Sequence, residues 1–130
     1  MANLHLAQEW FRRAETDLSD AQFLFDAGRD LENVALLIQQ AVEKYLKGFL
    51  LYHERDLEKI HDLYKLLQDA IAIDDAFELY ADFARNVSEF YFESRYPLDY
   101  EVEYTREEIK DALRQAHALV MLIRQKIGIK

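Results

Sequence analysis

The sequence predicts an all-α fold, an up-and-down four-helix bundle with an additional short helix. Three observations predict it. Three glycines and one proline in 130 residues are too little turn-forming material for a β-fold with many hairpins. Apolar residues recur at alternating spacings of three and four along four stretches, the period of helices that bury one face. The connections between those stretches are short, which makes consecutive helices antiparallel neighbours. Length, composition and the lack of any low-complexity tract suit one domain spanning residues 1–130.

The first helix is expected from Leu4 to Ala27, with Ala7, Phe11, Ala14, Leu18, Ala21 and Phe25 inward and Trp10 and Leu24 widening the stripe. Gly28 supplies the left-handed residue that stops it. The second, Leu31 to Tyr52, is the most apolar and should be the most buried. Its stripe is Leu31, Val34, Ile38, Val42 or Ala41, Tyr45 and Phe49, extended by Leu37, Leu46 and Leu50. Its few polar residues, Gln39, Gln40, Glu43, Lys44 and Lys47, read as a solubilising stripe with a Glu43–Lys47 ion pair at i,i+4.

After a charged connector at 53–59, a short helix is expected from His61 to Ile71, with Leu63, Leu66, Leu67 and Ala70 inward. Asp74 or Asp75 caps a fourth helix running to Glu93, with Phe77, Tyr80, Ala84, Val87 and Tyr91 on one face. Pro97 ends it, because the residue before a proline is driven from the helical region. Residues 97–104 alternate apolar and acidic side chains and read as extended chain. Thr105-Arg106-Glu107-Glu108 fits a capping box for the last helix. That helix carries Ile109, Leu113, Ala116, Val120, Ile123 and Ile127 before Gly128 stops it.

The net charge is −9 and the pI about 4.9. Residues 74–103 hold nine carboxylates against Arg85 and Arg95, so most of the excess acid lies there. Nucleic-acid affinity depends on neutralising phosphates with cations. An extended nucleic-acid surface is therefore not expected, and any polyanion site must be a small local pocket. The absence of cysteine rules out disulfides and thiol chemistry. No leader sequence is visible at Met1, and no apolar run is long enough for a membrane span, so a cytoplasmic location is expected. His5, His53 and His117 have no partners at metal-ligand spacing, and no metal is expected.

The chemistry-bearing candidates are few. Arg95-Tyr96 combines a planar fork of donors suited to phosphate with a ring that can stack on a base. Against that stands the bland alternative that Arg95 merely neutralises nearby acids. His61 beside Asp62 either caps a helix or lines a pocket. The aromatic residues Phe90, Tyr91, Phe92, Tyr96, Tyr100 and Tyr104 are more than a small monomer needs; core packing explains part of the set and a dimer interface the rest.

Gln39-Gln40-Ala41-Val42-Glu43-Lys44-Tyr45-Leu46-Lys47, then His61-Asp62-Leu63, then Arg95-Tyr96-Pro97, follow one another in an order that resembles the HEPN family. Trp10 followed by Ala14-Glu15-Thr16-Asp17-Leu18 and Ala21 is similar to that family's first helix. The resemblance covers nearly the whole chain. It implies a helical bundle that dimerises, a nucleotide-binding role, and frequent pairing with a minimal nucleotidyltransferase, as in toxin–antitoxin systems. Many members are metal-independent ribonucleases with an arginine and a histidine separated by four to six residues. Here Arg85-Asn86-Val87-Ser88-Glu89-Phe90 has the arginine, but Phe90 stands where a histidine would move protons, and phenylalanine cannot.

Three functions follow. The favoured one is a nucleotide-binding module for ATP or AMP, with Arg95, Tyr96, Lys44, Lys47, Arg85 and His61 as its site residues. It would act as a homodimer with a nucleotidyltransferase partner. The others are a ribonuclease toxin, weakened by Phe90, and a non-catalytic dimeric adaptor; catalytic activity is not expected.

Overall fold

Helix α2 (Leu31–Tyr52) is the axis on which the other helices lean. It is apolar on nearly every side: Val34, Ala35, Ile38, Ala41, Val42, Leu46 and Phe49 are all but fully buried. The computed structural model describes residues 4–56, 62–95 and 103–128, with residues 91–95 described as backbone only. Among them the elements are α1 (Leu4–Asp26), α2, the short α3 (Leu63–Ile73), a 3-10 segment (Asp75–Tyr80), α4 (Ala81–Arg95) and α5 (Arg106–Lys126). The described residues contain no strand, and the fold is an all-α helical bundle as predicted.

Helix α1 packs along the length of α2. Gly48 makes that close approach feasible, since a Cβ there would lie 2.7 Å from Phe11 Cε1. Helices α3, α4 and α5 also pack on α2, whereas α5 touches α1 and α4 only lightly. The seams on either side of α5 therefore stay open. One holds a cavity of about 440 Å³ against α4, the other a groove of about 510 Å³ against α1.

The helix ends follow the local chemistry. Gly28 has φ of 70° and closes α1 with Arg29 N donating to Leu24 O at 2.9 Å. Arg106, at the start of α5, donates from both Nη atoms to Phe25 O at 3.2 Å, tying the two termini together. Thr105 Oγ1 accepts from Glu108 N at 3.1 Å, the predicted cap of α5.

Four expectations change. The short helix begins at Leu63, after Asp62 as its N-cap, and continues to Ile73. Asp74 is a cap, with its carboxylate accepting from Ala76 N, but what it starts is a 3-10 segment and α4 follows from Ala81. The polar stripe of α2 is not a solvated face: Gln39, Glu43 and Lys47 are all buried. Phe90 and Tyr104 pack on each other inside the bundle, ring centroids 5.2 Å apart, so this pair is not free interface. The extended stretch expected at 97–104 lies outside the described residues except for positions 103 and 104, which carry no regular structure.

Candidate functional site

The first turn of α3 lies against the second turn of α4, and the sequence accounts for how they are held. Asp62 Oδ1 accepts from Tyr64 N at 3.0 Å and from Lys65 N at 3.4 Å, fixing the entry of α3. Leu63 is fully buried and its N–H donates to Ser88 Oγ of α4 at 3.3 Å. One residue further, Tyr64 meets Arg85. The guanidinium carbon sits 4.3 Å from the centre of the Tyr64 ring, and Nη2 donates to the phenol oxygen at 2.8 Å.

This arginine is held by a neutral group. Among the described residues its carboxylate partner is Asp82, at 3.5 Å from Nη1, and that side chain is 93% exposed. An exposed pair at that distance neutralises little charge. The guanidinium is therefore oriented by the Tyr64 ring and its hydroxyl, with only a long hydrogen bond to Asp82, while most of its charge stays available.

The two lysines predicted for the site are differently placed. Lys44 Nζ contacts Asp17 Oδ2 at 2.5 Å, a pair between α2 and α1. Lys47 is 5% exposed, with Nζ 3.1 Å from Glu43 Oε2 and 5.6 Å from the centre of the Trp10 indole. Glu43 also accepts from Gln39 Nε2 at 3.1 Å, so a buried polar ladder runs along α2. Gln39 Oε1 is buried there without a hydrogen-bond partner. Both ammonium groups already face carboxylates, which leaves neither as an open phosphate ligand.

Arg95 is the last residue of α4; its side chain, with Tyr96 and His61, lies outside the described residues. By helical register Ser88, three residues after Arg85, falls toward the same side of α4 as Arg85. Tyr64 was missed by sequence reasoning. It lies off the leucine stripe of α3, and its partner is 21 residues away.

The seam between α4 and α5 is acidic: Glu89, Glu103, Glu108 and Asp111 line its cavity. Hydrogen bonds from Arg114 and Gln115 hold the Asp111 carboxyl below its ordinary range, which keeps it charged. An anion is repelled from that seam and has the Arg85 end of α4 as the alternative. Among the described residues no group of acids and histidines gathers to hold a metal.

Among the described residues the site amounts to one cation on an all-α bundle: Arg85 lies over the Tyr64 ring and pairs at 3.5 Å with the exposed Asp82. The chain belongs to the HEPN family: the HEPN domain model matches residues 7–126. Its fold is similar to the crystal structure of TT1696 from Thermus thermophilus, with a TM-score of 0.81 and 28% identity over 92% of this chain and 97% of that one. No curated protein matches it. No described helix is long and apolar enough to cross a membrane.

Proposed function

We propose that this HEPN chain is a nucleotide-binding accessory module, a homodimer that acts beside a minimal nucleotidyltransferase as one half of a toxin–antitoxin pair. The observation that carries the nucleotide reading is the Arg85 guanidinium, held over the Tyr64 ring and only loosely neutralised. In so acidic a chain a cation left in that state is poised for an anionic ligand. Family membership supports the dimer and the partner. Arg95, the last residue of α4, is the main phosphate ligand in this reading, with Tyr96 next to it in sequence and ATP or AMP as the ligand. Ribonuclease activity is disfavoured because position 90, where a histidine would be needed, holds a buried phenylalanine.

Calorimetry with ATP and AMP tests the reading. A charge-assisted hydrogen bond contributes ~1.5–3 kcal/mol, so Arg95→Ala should weaken binding at least tenfold. Equal affinity in both proteins would place the site elsewhere. No binding to the unmodified protein would favour the adaptor. Light scattering tests the dimer: a mass near 15.4 kDa at all micromolar concentrations would refute it.

A further inference from the structure

We infer that Tyr64 and Arg85 form a base-stacking platform, and that the ligand's unpaired purine ring lies on the outer face of the Arg85 guanidinium. The inference rests on the nucleotide reading and assigns the half of the ligand that the phosphate reading leaves open.

A guanidinium can serve a nucleotide in two ways. Its edge can grip a phosphate as a fork, or its flat face can stack on a base. At Arg85 the edge is partly occupied, with Nη2 on the Tyr64 hydroxyl and Nη1 toward Asp82. The guanidinium carbon lies over the Tyr64 ring, 4.3 Å from its centre. The side chain is nonetheless 56% exposed, which leaves the side turned away from Tyr64 to receive a base. The plane is also fixed. Tyr64 is anchored through the Asp62 cap and the adjoining Leu63–Ser88 hydrogen bond, and two contacts from the ring hold the guanidinium. A rigid planar cation with an open face is a stacking surface whose ordering cost is already met before the ligand arrives.

Arg106 shows the contrast. It too lies over a ring, 3.9 Å from Phe25, but both of its Nη atoms bind the Phe25 carbonyl. Its role is to join α5 to the end of α1. Among the described residues Arg85 makes no such backbone tie. Its surroundings also choose between a single nucleotide and a strand. Asp82 lies against it, Asp62 caps the helix that carries Tyr64, and Glu89 stands one turn further along α4, so a run of phosphates would meet repulsion that one terminal phosphate can avoid.

The test is a set of NMR titrations with adenosine, AMP, ribose 5-phosphate and single-stranded hexa-adenylate, on the unmodified protein, Arg85→Lys and Tyr64→Leu. Arg85→Lys keeps the charge and removes the plane. Stacking on a base should make it bind adenosine and AMP at least fivefold more weakly, with ribose 5-phosphate unchanged. Tyr64→Leu should act in the same direction, with retained helicity by circular dichroism checking the fold. Unchanged adenosine affinity in Arg85→Lys, or no adenosine binding by the unmodified protein, overturns the platform. Equal losses for adenosine and ribose 5-phosphate also overturn it, as does hexa-adenylate binding more tightly than AMP. AMP binding no tighter than adenosine counts against the phosphate site alone, so the two readings fail separately.

Discussion

Lys47 keeps its ammonium inside the protein, 3.1 Å from Glu43 Oε2, with the two side chains only 7% and 10% exposed. Removing charges from water is costly, and the pair persists because each charge compensates the other. Gln39 and the Trp10 ring complete the surroundings. Breaking such a pair from one side costs ~3–5 kcal/mol, because an uncompensated charge stays buried. Glu43→Leu should therefore destabilise the protein strongly in urea unfolding. Glu43→Leu combined with Lys47→Met should recover most of the loss, since an apolar pair of similar size replaces both charges. A double variant no more stable than Glu43→Leu would show that the ion pair is not the source of the effect.

Gly48 predicts a second effect, with a sign opposite to helix propensity. In an isolated helix alanine is favoured over glycine by ~1 kcal/mol. Here the new methyl would meet Phe11 Cε1 at 2.7 Å and Cδ1 at 2.8 Å. Overpacking of this kind costs ~1–3 kcal/mol. Gly48→Ala should lower stability, and Phe11→Leu in that background should restore part of it by making room. Thermal unfolding of the four proteins of this cycle measures the coupling. Additive effects would mean that the α1–α2 contact is looser than described.

His53 predicts a pH dependence. It closes α2, stacks on Phe49 with centroids 4.6 Å apart, and has a buried Nε2 without a hydrogen-bond partner. Burial, aided by Arg55, pushes the imidazole below its ordinary value of 6.5, with Asp74 pulling the other way. The folded protein thus favours the neutral ring. Its contribution to stability is full above pH 6.5 and is lost as pH falls from there through the depressed value. His53→Phe keeps the packing without the proton. The stability difference between the two proteins should shift toward the variant as pH drops below 6.5. A difference independent of pH from 7.5 to 5 would sink this reading. Asp74, held low chiefly by Lys126, acts in a separate window below its ordinary value of 3.8.

The helix ends were legible in sequence because their causes are local. Gly28, Asp74 and Thr105 each act through their own backbone and the next few residues. The 3-10 segment at Asp75–Tyr80 was not, since over six residues a period of three is hard to tell from one of 3.6. The α2 ladder is easily misread because Gln39, Glu43 and Lys47 have the same spacing whether the stripe faces water or protein. The clue was that α2 is apolar on almost every other side, which leaves little face for solvent. At the site, Arg85 was visible as a type of residue. Its partner was not, because the Tyr64 contact depends on how α3 lies on α4.

Position 90 gives the last prediction, on catalysis. A family ribonuclease would need a proton-transferring histidine there, and this chain has Phe90. The structure adds a second obstacle. Phe90 is 9% exposed and packs edge-on against Tyr104, so the side chain points into the bundle between α4 and the approach to α5. A histidine at this position would take a polar ring out of water beside Tyr104 and Val87, a cost of ~1–3 kcal/mol for an unpaired polar group. It would not face the Arg85 side of the helix. Phe90→His should therefore lose stability and gain no cleavage, and the unmodified protein should leave a fluorogenic RNA intact in the presence of a metal chelator. Cleavage by the unmodified protein that Arg85→Ala abolishes would show that another group supplies the proton transfer. Cleavage gained by Phe90→His would show that position 90 reaches the arginine after all.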